Sequence, residues 1–439
     1  DVARAWVQKG SLPEARRALD HAREVGGRDP ELERTFGLLA GLSAAEAALE
    51  RGDPRAAREL VAEDAPPSSL APWRKARLAR LNLQLRVSDA TQDLLATREL
   101  DDTIQALILA EDVSTLRDRL AQELLAGAQE RSRGRAKLED VLALLERAAR
   151  VASDPAVVDA VRLEEASVHF RRGRFARATE LAGRLASRPG RLGLQAAYVA
   201  AYGKVWRDAL QREGLEELRE LWQRDREGPV GLNAGAVWHS HSGMNPEGEQ
   251  LALEALARDP DYVDAYISLA FCRSDQYFKT KDPGFLERSI EASSRAIELQ
   301  PDHPRAYLAR AYATGNRGEG EASLAAYDDV IALTEPRPMA RALRHRATRR
   351  YAADQPHAAL EDVERALERN PNSVEGLMLR GALRYDLGHR QEAGADWVLA
   401  YRLSPRELQA YLGRYRREIQ EQVIAALEAA SAPRPGQPR

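Results

Sequence analysis

Two histidines separated by one residue, His239 and His241, lie in the stretch WHSHSGMNPEGE, and two carboxylates, Glu247 and Glu249, follow. On a β-strand, side chains two residues apart point to the same side, so this pair could ligate zinc or iron with a nearby glutamate. On an α-helix, the two imidazoles would lie about 200° apart around the axis. The chemistry therefore depends on the secondary structure that positions the pair.

The composition of the chain favours helices almost everywhere. Of its 439 residues, 44% are hydrophobic, which is enough for a large buried core. Ala, Leu, Arg and Glu dominate, whereas Phe occurs only six times and long runs of Val, Ile or Thr are absent from the sequence. We therefore predict an all-α protein.

Charge, apolar runs and cysteine content exclude several classes of protein. The net charge is -3, so no global field attracts polyanions and we expect no nucleic-acid partner. No apolar run approaches the ~18 residues of a membrane span, so we expect no membrane span and a cytoplasmic location. The single cysteine, Cys272, excludes an internal disulfide framework and a Cys-based zinc module. It follows SLAF on an apolar helix face, which predicts a core residue.

Prolines punctuate the second half of the chain at a period of about 34 residues, which is the spacing of a helical repeat. They stand at the turns, at Pro260, Pro301, Pro336, Pro371 and Pro405. The last two are 34 residues apart and the two intervals before them are 35 each, whereas the first interval is 41. This difference predicts an insertion of about seven residues near 276–284.

Each predicted repeat has a glycine where its first helix should end, because glycine suits a left-handed helix stop. This column contains Gly10, Gly52, Gly173, Gly243, Gly318 and Gly388, with Asp354 in one repeat. Small residues stand seven positions before it, at Ala3, Ala45, Ala166, Ala236, Ala311, Ala347 and Gly381. Others stand five positions after it, at Ala15, Ala57, Ala178, Gly248, Ser323, Ala359 and Ala393. Small residues on both helices predict a close crossing of an antiparallel pair.

This pattern resembles the tetratricopeptide repeat (TPR), most specifically between Leu232 and Pro405. The segments AWVQKGSLPEARRAL, FRRGRFARATELAGRL and YDLGHRQEAGADWVLAY show the family's order of helix, turn, alanine and aromatic residue. The resemblance implies a right-handed superhelical α-solenoid of antiparallel helix hairpins. One departure is the eleventh position, where the family usually has Tyr and this chain has His239, Thr314, Arg350 or Arg384.

The repeat register divides the chain into five predicted regions. Residues 1–65 are expected to form TPR-like hairpins and 66–154 irregular helical hairpins, because the register is lost there. The main array covers 155–405, a capping helix covers 406–430 and a disordered tail covers 431–439. The aromatic pair next to the insertion, Tyr277 and Phe278, is either a partner contact or part of a loop that caps its own hairpin.

In the TPR family the first helices of the hairpins line a concave groove that binds an extended or helical peptide. The resemblance implies that the corresponding positions here are groove residues, including Asp264, Ile267, Leu308, Glu375 and Met378. The residues predicted to bind a protein or peptide partner are Asn233, His241, Phe271, Arg305, Tyr312, Arg341, Arg344, Tyr351 and Tyr385. Arginine suits carboxylates and backbone carbonyls, and tyrosine gives a large contact area at a small entropy cost. The alternative is that the arginines are solvated or paired with acidic residues of neighbouring helices.

The preferred hypothesis is a scaffold without enzymatic activity or cofactor, because the chain lacks a phosphate-binding loop, a dinucleotide-binding motif and a zinc-protease motif. A second hypothesis is the sensing or regulatory arm of a larger bacterial signalling protein, such as a Ser/Thr kinase. A third is a metal-dependent enzyme at His239 and His241. The repeat register opposes the third, because it places the pair on a helix, with His239 in the core and His241 in the groove.

Overall fold

The computed structural model describes residues 12–24, 114–133, 136–207, 210–335 and 339–431, together with isolated positions between 36 and 104. All regular secondary structure among these residues is helical, which confirms the predicted all-α fold. The chain divides into two compact units, one of residues 1–128 and 142–161 and the other of residues 129–141 and 162–439. The division passes through three helices near its boundaries.

Four described helices precede the helix hairpins of the second unit in the sequence. They are α1 (Leu12–Glu24), α2 (Ser114–Arg133), α3 (Leu138–Val151) and α4 (Pro155–Arg171). Within the first unit, the Asp118 carboxylate accepts hydrogen bonds from the backbone N–H groups of Ser153 (2.6 Å) and Asp154 (2.8 Å). These bonds satisfy donors just before α4 begins.

The second unit continues as consecutive helix hairpins. Its helices are α5 (Phe175–Gly183), α6 (Gly190–Val205), α7 (Gln211–Arg224), α8 (Pro229–His241), α9 (Asn245–Arg258), α10 (Val263–Thr280), α11 (Gly284–Leu299), α12 (Pro304–Arg317), α13 (Gly320–Thr334), α14 (Ala340–Ala352), α15 (Pro356–Arg369), α16 (Val374–Asp386), α17 (Arg390–Leu403), α18 (Pro405–Leu412) and α19 (Arg417–Ser431). From α6 to α17, every helix packs against the next in sequence. The predicted all-α fold of consecutive helix hairpins is confirmed for these residues.

The sequence of α15 shows why these segments become amphipathic helices. Pro356 lies in the first turn, where its missing N–H has no intrahelical partner to lose. Ala359, Val363 and Ala366 then follow at spacings of four and three residues, and all are buried. The same spacing of small and branched side chains gives each second helix a face that packs on its own first helix.

The described members of the turn column behave as the sequence predicts, whereas Gly10 and Gly52 lie outside the described residues. The left-handed φ angles are +71° at Gly173, +78° at Gly243, +92° at Gly318 and +89° at Gly388. Asp354, in the same column, has a φ of +56°. A left-handed residue ends the first helix and redirects the chain, and glycine adopts this conformation without the steric cost of a Cβ.

The predicted helix crossings are close and buried. Ala236, Ala311 and Ala347 have no exposed surface. At Gly381, a Cβ would lie 2.2 Å from Nε1 of Trp397, a buried residue of the partner helix. The large indole therefore occupies the volume that the glycine leaves open.

Two hairpins contain the same buried ion-pair module. In α14 and α15, the Asp362 carboxylate accepts hydrogen bonds from Arg346 (2.8 and 2.6 Å) and Arg350 (2.9 Å). In the next hairpin, 34 residues later, Asp396 accepts bonds from Arg380 (2.9 and 2.6 Å) and Arg384 (2.9 Å). Arg350 and Arg384 thus stand where the family usually has Tyr because each pairs with an aspartate on its own second helix.

The structure differs from the sequence prediction at two places. The insertion near 276–284 does not form a long turn: α10 continues to Thr280, so Tyr277 and Phe278 are helical, and the helix stops at Lys281 with a φ of +60°. The region 406–430 contains two helices, α18 and α19, where a single capping helix is predicted. Gly413 ends α18, and a short segment then leads into α19.

Most of the predicted region 1–65, most of 66–113 and the tail 432–439 lie outside the described residues.

Candidate functional site

The two histidines that could form a metal site lie near the end of α8, and the helix separates them. The Nδ1–H of His239 donates to the Gly235 carbonyl oxygen over 2.9 Å. Its buried ring packs edge-on against both Trp222 and Trp238, with centroid separations of 5.0 and 4.8 Å. His241 instead lines a pocket on the other side of the helix. Among the described residues, no group of three or more His, Cys, Asp or Glu side chains is arranged to hold a metal ion.

The pocket, called here the central pocket, is formed by one helix from each of five consecutive hairpins, α6, α8, α10, α12 and α14. Helix α6 contacts α8, α8 contacts α10, and α10 contacts α12. Helices α12 and α14 meet through the rings of Tyr312 and His345. The pocket has a volume of about 190 Å³. Its walls are formed by Tyr202, Trp206, Val237, Ser240, His241, Ser268, Phe271, Asp275, Leu308, Tyr312, Arg341 and His345.

Aromatic rings dominate the walls of the central pocket. The Tyr312 ring lies 5.9 Å from the ring of His345 on α14 and 5.9 Å from the ring of Phe278 on α10. The guanidinium of Arg341 lies 4.6 Å from the Trp206 ring centroid, within cation–π range. The pocket therefore offers flat apolar faces with a small number of charged groups among them.

The titratable groups of the central pocket are strongly affected by loss of water. Burial raises the pKa of the Asp275 carboxyl to about 6, although Lys279 and Arg341 act in the opposite direction. The pKa of His241 is lowered to about 4, first by desolvation and then by Arg341 and Arg305. Burial, reinforced by several arginines, lowers the pKa of His345 well below its usual range. At pH 7 both imidazoles are therefore neutral and Asp275 is mainly ionised.

Two of the predicted partner-binding residues are buried beneath the pocket. Arg305 has no exposed surface, and its guanidinium donates to Tyr202 (2.6 Å) and Asp264 (3.0 Å). It also lies 4.1 Å from the Tyr202 ring centroid. Asn233 on α8 is equally buried. Arg305 therefore supports Tyr202, a pocket wall, from behind and does not itself face a partner.

The remaining predicted residues lie at the C-terminal end of the same series of helices, where they are bonded within the chain. Arg344 and Arg414 both pair with the carboxylate of Glu375. The Tyr351 hydroxyl donates to Asp386 over 2.5 Å, and Arg416 pairs with the same carboxylate. We call this set of residues, Arg344, Tyr351, Glu375, Asp386, Arg414 and Arg416, the C-terminal ladder. The hydroxyl of Tyr385, beside it, donates to Glu418 over 3.1 Å.

The structure thus brings together four of the predicted partner-binding residues and separates the other five from them. His241, Phe271, Tyr312 and Arg341 line the central pocket. Sequence reasoning missed Asp275 and His345, although each follows a predicted residue of its own helix by four positions. It also missed Tyr202 and Trp206 on α6, because the groove positions were assigned only from Leu232 onward.

Other candidate chemistry is located in the core or is not found. Cys272 is fully buried, and burial raises the pKa of its thiol to about 12, so it is a poor nucleophile at neutral pH. In the part of the chain that the structure describes, no helix has both the length and the apolar character needed to cross a membrane.

Comparisons with known proteins give only partial likenesses. No protein-family model matches the chain, and no curated protein sequence matches it at a significant level. Among solved structures, the thermophilic TPR protein TTC0263 of Thermus thermophilus is 18% identical, with a TM-score of 0.38, over 44% of this chain and 98% of its own.

Two further solved structures are similar to a larger share of this chain. PilW, a type IV pilus biogenesis factor, is 16% identical with a TM-score of 0.39 over 51% of this chain and 100% of its own. A tetratricopeptide repeat protein from Parabacteroides merdae ATCC 43184 is 14% identical with a TM-score of 0.37 over 61% of this chain and 97% of its own. At these TM-scores, function has to be inferred from the residues of the pocket.

Proposed function

We propose that this chain is a non-enzymatic scaffold that binds a peptide segment of a protein partner in the central pocket. The observation that carries the proposal is the convergence of five consecutive hairpins on one aromatic pocket that contains His241, Phe271, Tyr312 and Arg341. Large flat rings give contact area at a small entropy cost, which is why aromatic residues and arginine dominate protein-binding hot spots.

The size of the pocket favours a side chain as its occupant. Pockets for drug-sized ligands and cofactors usually measure ~300–1,000 Å³, whereas this one measures about 190 Å³. It has room for one large side chain or two small ones. A peptide that crosses α8, α10 and α12 would place such a side chain in the pocket and leave its backbone on the helix surfaces beside it.

A cluster of groups with shifted pKa values is also typical of active sites. In Asp275, His241 and His345, however, the largest cause of each pKa shift is desolvation, which any enclosed binding pocket produces. The cluster is thus accounted for by a partly enclosed binding surface without a reaction. The regulatory-arm hypothesis stays a prediction from the sequence.

The proposal can be tested by selecting displayed peptides that bind the full chain and then measuring their affinity for two matched double variants. Each variant loses one tyrosine and one arginine: Tyr312→Ala with Arg341→Ala in the central pocket, and Tyr351→Ala with Arg344→Ala in the C-terminal ladder. We expect the pocket variant to lose about 100-fold in affinity, since hot-spot truncations commonly have effects of this size. The ladder variant should lose less than about threefold.

Circular dichroism at the assay temperature must show that both variants are folded. Full affinity in the folded pocket variant, or failure of the selection to yield any peptide, would refute the proposal. An equal loss in both variants would extend the binding surface to the C-terminal ladder and remove the distinction between the two regions.

A further inference from the structure

The α10 wall of the central pocket has a carboxylate between two aromatic residues. Phe271, Asp275 and Phe278 are spaced by four and three residues, so they lie on one face of the helix. Phe271 and Asp275 line the pocket, and Phe278, with 43% of its surface exposed, lies at its edge. A single helix face thus presents an anionic group within an aromatic frame.

The facing helix completes this frame. Tyr312 on α12 also lines the pocket, and its ring contacts the ring of Phe278 at 5.9 Å. The Phe278 ring already attracts a cation of the chain itself, since Nζ of Lys281 lies 5.5 Å from its centroid. Aromatic faces that carry partial negative charge, together with a carboxylate, are the groups that recognise ammonium and guanidinium ions.

Burial of the ionised Asp275 carboxylate costs free energy in the protein without a ligand. Of the groups that surround its carboxylate, His241 and His345 are neutral at pH 7, and the Tyr312 phenol stays protonated because burial raises its pKa to about 12. The positive charges of Lys279 and Arg341 do not offset the loss of water, because the pKa of Asp275 is still raised. The raised pKa of Asp275 itself measures the same loss of hydration. A cationic ligand would offset that loss, because a partly buried carboxylate gains most from a charge partner that reaches it.

We infer that the central pocket receives the lysine or arginine side chain of a basic peptide segment, with Asp275 pairing with its charge and Phe271 and Tyr312 contacting its stem. This inference rests on the proposed function and specifies the chemistry of the partner. An acidic ligand side chain fits the central pocket less well than a basic one. An acidic side chain could approach Arg341, but that guanidinium is already stacked on Trp206, and the ligand carboxylate would share the pocket with Asp275.

The inference requires a specific dependence of affinity on pH. The titratable and charged groups that face Asp275 are Lys279 on its own helix, Tyr202 on α6, His241 on α8, Tyr312 on α12, and Arg341 and His345 on α14. The tyrosine pKa values lie above the range from pH 5 to 8, the pKa of His241 is about 4, and burial lowers the pKa of His345 well below its usual value of 6.5. Asp275 is therefore the group of the pocket that changes charge within this range.

Protonation of Asp275 removes the charge that the cation needs. With a free pKa of about 6, only a small fraction of the carboxyl is ionised at pH 5. We therefore expect affinity for a basic peptide to rise about tenfold from pH 5 to pH 8 and to level off above pH 7.

The experiment uses the full chain and peptides selected from an unbiased display library at pH 7.5. The selected sequences should share one Lys or Arg, and its change to Gln in a synthetic peptide should lower affinity by about 10-fold to 100-fold. Asp275→Asn should cause a similar loss and abolish the pH dependence. The matched control is Asp261→Asn, which alters a carboxylate that is 76% exposed and lies before α10, outside the pocket. It should change affinity less than twofold.

The outcomes separate this inference from the proposed function. Selected peptides without a shared basic residue that still lose affinity to Tyr312→Ala would overturn the cationic ligand while leaving the peptide-binding function intact. Enrichment of Asp or Glu, with affinity lost in Arg341→Ala and kept in Asp275→Asn, would replace the inference by an acidic ligand. Selected peptides that bind every pocket variant with unchanged affinity would overturn both proposals.

Discussion

The central pocket and the C-terminal ladder both use first helices of the array, and the ladder adds Arg414 and Arg416 from the segment after α18. The two regions differ in how their carboxylates are paired. In the ladder, the Glu375 carboxylate forms ion pairs with two arginines. The Asp386 carboxylate accepts a hydrogen bond from a tyrosine hydroxyl and forms an ion pair with an arginine. In the pocket, Asp275 is desolvated enough to have a pKa of about 6. Charges that are satisfied within the chain stabilise the fold, whereas a charge kept at a cost indicates a site that is completed by a ligand.

The largest effect that this contrast predicts is a loss of stability in the ladder. Glu375→Ala removes the charge partner of Arg344, whose side chain is only 13% exposed. We expect the free energy of unfolding to fall by about 2 kcal/mol, since a partly buried charge left without its partner is costly. Urea titration followed by circular dichroism measures it. Glu361→Ala, on the exposed face of α15, is the control and should change stability by less than about 0.5 kcal/mol. Equal effects of the two changes would mean that the ladder does not stabilise the fold.

The corresponding change in the pocket should have the opposite sign. Asp275→Asn should raise the free energy of unfolding at pH 8 by about 1 to 2 kcal/mol, because the folded-state pKa of about 6 exceeds the usual value of 3.8 and the carboxylate is partly exposed. An acid with a raised pKa binds protons more tightly when folded, so wild-type stability relative to the variant falls as pH rises from about 4 to 6. The advantage of the variant should therefore disappear below about pH 4.

Comparing the two proteins at each pH isolates Asp275. Several histidines, such as His303, have pKa values lowered by burial to about 4, so they destabilise the fold as pH falls below 6.5. Their contribution is the same in both proteins and cancels in the difference. Urea titrations at four pH values would measure that difference. A variant that is less stable than the wild type at pH 8 would show that Asp275 is a structural residue.

The smallest predicted effect distinguishes Tyr312 of the central pocket from Tyr351 of the C-terminal ladder, both on first helices. Tyr351→Phe removes the hydroxyl that donates to Asp386 and should lower the free energy of unfolding by about 1 kcal/mol. Tyr312→Phe keeps the ring contacts with Phe278 and His345, so its stability should change by less than about 0.5 kcal/mol. Thermal unfolding of both variants, measured side by side, would detect this difference in stability. A larger loss for Tyr312→Phe would reverse the roles assigned to the two regions.

The features that the sequence predicts well are those set by local geometry. The described glycines of the turn column take left-handed φ angles because the helix stop needs them, and crossing residues such as Ala236 and Ala311 are buried because the helices approach closely. Both constraints act on residues near each other in the chain. They are therefore visible as a period of about 34 residues without knowledge of any distant contact.

The features that the sequence does not predict depend on residues far along the chain. Arg305 is assigned to the groove by its register, but it pairs with Tyr202, which is 103 residues away, and is buried. Arg344 and Tyr351 are bonded to the carboxylates of Glu375 and Asp386 on α16. The same two carboxylates form ion pairs with Arg414 and Arg416. Whether a groove arginine faces a partner or a neighbouring helix depends on such contacts, and the repeat register does not specify them.

The most direct test of the peptide-binding site is photo-crosslinking of a selected peptide to benzoylphenylalanine placed at position 312 or at position 385. Both positions carry half-buried tyrosines on first helices, one in the central pocket and one beside the C-terminal ladder. We predict a crosslinked product with position 312, suppressed by excess unlabelled peptide, and little or none with position 385. Crosslinking at 385 but not at 312 would contradict a binding site in the central pocket.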